Sequence, residues 1–227
     1  MNGSAVVIGA TGGLGRALTQ RLVAEGAFDP VWAVSRSATA APGAQALAAD
    51  LEDEAGLAQA AARVAQGPAP TLVLVATGVL HDGFQPERSL RQLEAEHLLR
   101  DYRINTVGPA LVAKHLLPLL PRDRRAVFAA LSARVGSIGD NRLGGWYAYR
   151  ASKAALNMLM RGYAARPDSA GRPLLLLAPG WIRTALGGPD APYTVEDSAP
   201  LLADLILAQS GRPGLRYLDR DGNTVPW

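Results

Sequence analysis

The sequence contains no cysteine, which excludes disulfides and thiolate metal centres; no metal site is expected. Lysine is almost as scarce. Lys114 and Lys153 are the only two, so 21 of the 23 basic residues are arginine. Arginine carries the ordinary surface charge of this chain, which makes each lysine more informative than usual. No apolar run is long enough to span a bilayer, and the sequence enters a strand-like run at its start, so no secretory leader is expected; a cytoplasmic protein without a membrane partner is expected. The net charge is only +3, with no basic stripe and no interleaving of aromatic and basic residues, so nothing points to nucleic acid. What remains is 227 residues, 48% hydrophobic and 19% charged. That composition fits one globular α/β domain spanning residues 1–227, undivided by repeats or low-complexity linkers.

The chain is organised around Ser4 to Leu22. Val6, Val7 and Ile8 form a short β-branched run that reads as a buried strand. A glycine cluster (Gly9, Gly12, Gly13, Gly15) stops it, and Leu14, Ala17, Leu18 and Leu22 then recur at helical spacing, with Gly26 placed as a C-cap. Strand, glycine turn and helix begin a dinucleotide-binding unit. The turn lets backbone N–H groups at a helix N-terminus approach a pyrophosphate. The alternative is a glycine-rich turn that packs a helix closely on a strand and binds nothing.

Further strands are expected at Pro30 to Ser35, Gln45 to Asp50, Thr71 to Ala76, Arg125 to Leu131, Arg172 to Ala178 and Leu215 to Leu218. Helices are expected at Glu52 to Gln66, Glu87 to Leu120, Trp146 to Ala165 and Thr194 to Gln209, with a kink at Asn105 and Gly108 inside the long tract. His81-Asp82-Gly83 reads as a polar turn. Alternating strands and helices predict a doubly wound, Rossmann-type parallel sheet with helices on both faces and ligands at the C-terminal strand ends. The second of those ends carries Ser35 with Arg36 beside it. No acid is there to bind a ribose 2′-hydroxyl, and a guanidinium suits a 2′-phosphate, so the preference reads as NADP(H).

Tyr149 and Lys153 stand four apart on a predicted helix and share a face, whereas Tyr147 points elsewhere. An ammonium beside a phenol stabilises the phenolate, so Lys153 is expected to lower the Tyr149 pKa and ready it for proton transfer to or from a carbonyl or alcohol oxygen.

These residues together resemble the short-chain dehydrogenases/reductases over nearly the whole chain. The resemblance implies a cofactor loop over Gly9, Thr11, Gly12, Gly13 and Leu14, with Ile8 where a threonine is usual. It implies adenosine contacts by Ser35, Arg36, Asp50 and Leu51. Ala76-Thr77-Gly78 sits where Asn-Ala-Gly is usual and still offers backbone to the cofactor. Pro179, Gly180, Ile182 and Thr184 match the segment that holds the nicotinamide amide. Tyr149 matches the acid/base. Lys153 matches its partner and binds the nicotinamide ribose, and Asn105 matches the residue that holds a water in a proton relay. The family usually has two serines at the fifth strand end, the second orienting the substrate oxygen. Here the second is Ala133, leaving Ser132 and Ser137 as rival candidates.

The span Leu131 to Asn157 and the Asp221 to Trp227 tail are similar to the sniffer-like carbonyl reductase and C-factor-type branch. The implied function is NADPH-linked reduction of a small carbonyl to an alcohol. The rival is an NADP(H)-binding sensor or signalling protein on the same fold, favoured less because Tyr149, Lys153 and Asn105 are all present. An epimerase or dehydratase is weaker still, since little chain follows Gly180. The substrate pocket is expected from Val79 to Phe84, Ala133 to Trp146 and Leu186 to Tyr193. The family's dimer faces, residues 105–120 and 146–165, imply a homodimer or homotetramer partly covering Met158, Leu159 and Tyr163.

Overall fold

The structure is a computed structural model describing residues 3–80, 83–122, 125–169 and 172–227. The polar turn expected at His81-Asp82 lies outside these residues. Seven strands form one parallel sheet in the order β3-β2-β1-β4-β5-β6-β7. They are β1 (Ser4–Ile8), β2 (Val31–Ser35), β3 (Gln45–Ala48), β4 (Pro70–Val75), β5 (Val127–Leu131), β6 (Pro173–Ala178) and β7 (Gly214–Asp219). The order reverses between β1 and β4, which opens a crevice at their C-terminal ends.

Every residue of β1, β2, β4 and β5 is buried, as continuous apolar runs require when both faces of a sheet are covered. Alternate residues feed two cores. Val6, Ile8, Val73 and Phe128 pack under α2 (Glu54–Val64), α4 (Gly108–Leu116) and α5 (Tyr147–Ala164). Ala5, Val7, Leu72 and Val127 pack under α1 (Gly13–Glu25) and α6 (Val195–Ala208). β3 is the exposed edge, which its Gln-Ala-Leu-Ala sequence tolerates. Gly26 closes α1 in a left-handed conformation at φ 65°, where a side chain would be strained. The Thr194 hydroxyl accepts a hydrogen bond from Asp197 N and starts α6.

The tract expected to be helical from Glu87 departs from that reading. Helix α3 begins only at Ala95 and runs to Tyr102. Ahead of it, the Gln92 side chain folds back onto the backbone N–H groups of Arg88 and Ser89 and closes a single 3₁₀ turn. Glu87 is drawn away to the start of α5, where its carbonyl accepts from Trp146 N at 2.6 Å and its carboxylate from Ala148 N at 3.4 Å. The kink expected at Asn105 is a π-helical turn, Arg103–Val107, between α3 and α4. It aims Asn105 and Thr106, both fully buried, at α5.

Candidate active site

The glycine turn fits a bound dinucleotide on its own geometry. A Cβ on Gly15 would lie 2.2 Å from the Gly9 carbonyl oxygen, and Gly9 sits at φ +84°. No larger residue allows that approach of α1 to β1. The α1 N-terminus has no capping side chain and no acid in its first turn. Its free N–H groups therefore remain available to an anion.

Two cavities meet at this turn, sharing Gly12, Ala76, Thr77 and Gly78. One, of about 290 Å³, is lined by Gly9, Thr11, Ser35, Arg36, Asp50 and Leu51, at the ends of β1, β2 and β3. Arg36 is exposed there. The Asp50 carboxylate accepts from Glu52 N and shapes the turn into α2. The other, of about 260 Å³, is lined by Gly13, Leu14, Ser132, Ala133, Tyr149 and Lys153. Pro179, Gly180, Trp181, Ile182, Thr184 and Leu186 border it as well. All the residues expected at a cofactor thus border one cavity or the other.

In the second cavity Lys153 is almost fully buried and donates from Nζ to the Leu131 carbonyl at 2.9 Å. Burial pulls its pKa down to about 8, partly offset by the Asp101 carboxylate. The expected lowering of the Tyr149 pKa does not occur. Burial pushes the phenol up, the charge of Asp101 adds to this, and the Lys153 ammonium, 5.9 Å from the ring centroid, does not reverse it. Tyr149 therefore keeps its proton across the physiological range. Its hydroxyl makes no hydrogen bond among the described residues.

The three remaining candidates are placed differently. Asn105 lies behind the cavity. It exchanges two 2.9 Å hydrogen bonds with the Val79 backbone and donates to Ser152 Oγ at 3.1 Å. Both its amide hydrogens are engaged, so towards a water it can only accept. Ser152 Oγ donates in turn to the Tyr149 carbonyl at 2.8 Å, and Thr106 donates to the Ser152 carbonyl. Ser132 borders the cavity, but its hydroxyl donates to Asn157 Oδ1 at 2.6 Å and so has no proton left for a substrate oxygen. Ser137 is not among the lining residues, and its Oγ accepts from Asp140 N. At the position where a second serine is usual, Ala133 lines the cavity, its carbonyl held by the buried Tyr217 hydroxyl at 2.6 Å.

Ser152, Asn157, Tyr217 and Glu87 escape sequence reasoning. Their partners lie in other elements, and no local pattern marks them. Arg100 on α3 is a further omission: it lines the adenosine-side cavity, although its sequence setting is that of an ordinary charged helix.

Comparison with known proteins agrees with this geometry. The family model described as short chain dehydrogenase matches residues 4–192. The chain is 36% identical over 139 residues to the C-signal protein of Myxococcus xanthus, covering 61% of this chain and 84% of that protein. Among solved structures, it superposes with TM-score 0.89 and 31% identity on a short-chain dehydrogenase/reductase of Burkholderia multivorans with bound NADP, covering 99% of both chains. It superposes with TM-score 0.84 and 25% identity on the carbonyl reductase Sniffer of D. melanogaster, covering 100% of both.

Proposed function

The chain belongs to the short chain dehydrogenase family, and from that premise we propose that it is an NADPH-dependent reductase of a small carbonyl compound. The observation that carries this reading is the unengaged, protonated Tyr149 hydroxyl beside buried Lys153, in a cavity continuous with the glycine turn. The bound cofactor would supply a hydride to the carbonyl carbon. The negative charge this leaves on the substrate oxygen takes the proton of Tyr149. The phenolate so formed lies near the Lys153 ammonium, which remains charged below about pH 8, and solvent returns the proton.

In this reading Gly9, Thr11, Gly12, Gly13 and Leu14 hold the pyrophosphate, and Thr77 and Gly78 present backbone to the cofactor. Pro179, Gly180, Ile182 and Thr184 face the nicotinamide. Asn105 braces the turn behind Gly78. Arg36, with no acid at Ser35, supplies the preference for a 2′-phosphate, in line with the NADP held by the Burkholderia relative. Trp181 and Leu186 give the substrate an apolar wall. The partner is a second copy of the chain, since Met158 and Leu159 on α5 are 66% and 45% exposed. An isologous dimer through that face would cover them, and a monomer by light scattering at micromolar concentration would refute it.

The test is fluorescence titration with NADPH and NADH, followed by absorbance assays on aldehydes, ketones and quinones. Tight NADPH binding with turnover of some carbonyls is expected. NADPH binding with no turnover across the panel would favour the sensor or signalling reading, which the likeness to the C-signal protein keeps in view. Equal affinity for the two dinucleotides would remove the role given to Arg36.

A further inference from the structure

Arg220 borders neither cavity and has no part in the chemistry above. It stands in the turn after β7. The Asp219 carboxylate fixes that turn by accepting from Asp221 N at 3.0 Å and from Asn223 N at 2.9 Å. The Arg220 side chain is only 11% exposed, and its guanidinium carbon lies over the Tyr193 ring, 3.6 Å from the centroid. The exposed Asp221 carboxylate is 3.9 Å from Nε, and Nη1 is buried without a hydrogen-bond partner. What chiefly offsets the burial of this charge is the face of the ring.

Tyr193 is the far end of a segment that borders the second cavity. Residues 181–193 leave β6 through the Pro179-Gly180 turn and end at Thr194, the cap of α6. Trp181, Ile182, Thr184 and Leu186 line the cavity. The Tyr193 carbonyl accepts from Arg183 N at 2.8 Å, and Ile182 and Tyr193 form a parallel bridge. Trp181 Nε1 donates to the Gly187 carbonyl, and Arg183 Nε to the Ala191 carbonyl. Each of these bonds is internal to the segment, so they set its shape and not its place. Buried Ile182 and Ala191 root it in the core. The contact with Arg220 ties it to the end of β7. Gly180 meets both partners: a Cβ there would lie 3.2 Å from Arg220 Cδ and 3.3 Å from the Tyr193 ring. The turn that starts the segment therefore rests on the arginine–tyrosine pair.

We propose that Arg220 is a positioning residue: lying over Tyr193 and against the Gly180 turn, it holds residues 181–193 at the separation from Tyr149 and Lys153 that a nicotinamide ring requires. This rests on the cofactor reading above, in which Pro179, Gly180, Ile182 and Thr184 face the nicotinamide. Arg220 itself touches neither cofactor nor substrate. Its effect is confined to the nicotinamide half, because no residue of the segment lines the adenosine-side cavity. Without the contact, a smaller fraction of the protein has this wall in place, and affinity falls with that fraction.

The test is calorimetric titration with two ligands: NADPH, and 2′-phosphoadenosine 5′-diphosphoribose, which is the same molecule without nicotinamide. Arg220→Met should weaken NADPH by about 3- to 30-fold, the range one desolvated cation–π contact can supply, and leave the fragment unchanged. Tyr193→Leu should show the same pattern, Tyr193→Phe should bind as wild type, and the double variant Arg220→Met, Tyr193→Leu should be no weaker than either single one. Should Arg220→Met fail to fold, the two Tyr193 variants decide alone, since that side chain is 39% exposed. Unchanged NADPH affinity in Arg220→Met or in Tyr193→Leu would overturn the proposal. So would equal losses for NADPH and the fragment, which mean general loosening, or additive losses in the double variant. Wild-type protein that bound neither ligand would instead overturn the cofactor reading, and this inference with it.

Discussion

The glycine-turn end of the groove and the end proposed to be catalytic differ in how far along the chain their parts are drawn from. Gly9, Gly12 and Gly15 make one turn from neighbouring residues, and it is complete once β1 meets α1. The catalytic end is assembled by buried hydrogen bonds between distant segments. Asn105 reaches Ser152 across 47 residues, Ala148 reaches Glu87 across 61, and Tyr217 reaches Ala133 across 84. The first end is a backbone device whose requirement is the absence of side chains. The second is a side-chain device whose requirement is a set of partners. Changes at the first should damage binding and fold together, whereas changes at the second should separate turnover from binding.

The sharpest separation should come from Tyr149→Phe. It removes one oxygen from a cavity wall and leaves α5 intact. Turnover should fall by a factor on the order of 100 to 10,000, as expected of a positioned proton donor, with the NADPH dissociation constant nearly unchanged. Stopped-flow reduction alongside fluorescence titration measures both. Near wild-type turnover would remove Tyr149 from the chemistry.

Gly15→Ala should do the opposite and couple the two properties. The new Cβ meets the Gly9 carbonyl oxygen at 2.2 Å, so the turn must open. Overpacking of this kind costs roughly 1–3 kcal/mol. Tm and dinucleotide affinity should fall together. A variant with wild-type Tm and weakened binding would break the comparison drawn above.

A pH profile probes the catalytic end without mutation. Lys153 has its pKa lowered to about 8, so its charge is present below that pH and lost above it. Tyr149, raised by burial, stays protonated throughout. Turnover should therefore be level near neutrality and decline above about pH 8, by roughly tenfold per unit at most. A rate that rises through pH 8 would mean that the phenolate, not the phenol, is the working form.

The smallest effect belongs to Ser137→Ala. Its hydroxyl accepts from Asp140 N away from the cavity lining, so the expected cost is about 1 kcal/mol of stability with turnover retained. Ser132→Ala, which releases Asn157 beside the cavity, should lower turnover while sparing NADPH binding. Retained activity in the Ser132 variant would mean that the Ser132–Asn157 hydrogen bond does not support the chemistry beside it.

Much of the scaffold was legible because its signals are local. Val6 to Ile8 are a short β-branched run stopped by glycine, Gly26 caps α1 because its left-handed φ suits glycine, and Tyr149 and Lys153 share a face because a helix repeats near four residues. The tract from Glu87 misled because its charged, helix-favouring composition was outweighed by one carboxylate: Glu87 caps the first turn of α5 instead of starting a helix of its own. The kink at Asn105 was legible as an interruption. Its form as a π turn was not, since what holds it is Ser152 on another helix.

The sequence by itself determined the order of strands and helices, the glycine turn and the pairing of Tyr149 with Lys153. Each of these follows from backbone freedom or helical period over a few residues. The tertiary structure alone decided that Ser132 turns its hydroxyl to Asn157, that Ala133 faces the cavity, that Arg100 reaches the adenosine side, and that Tyr149 keeps its proton. Hydrogen-bond partners and desolvation are supplied by residues tens of positions away, so they exist only once the chain has folded.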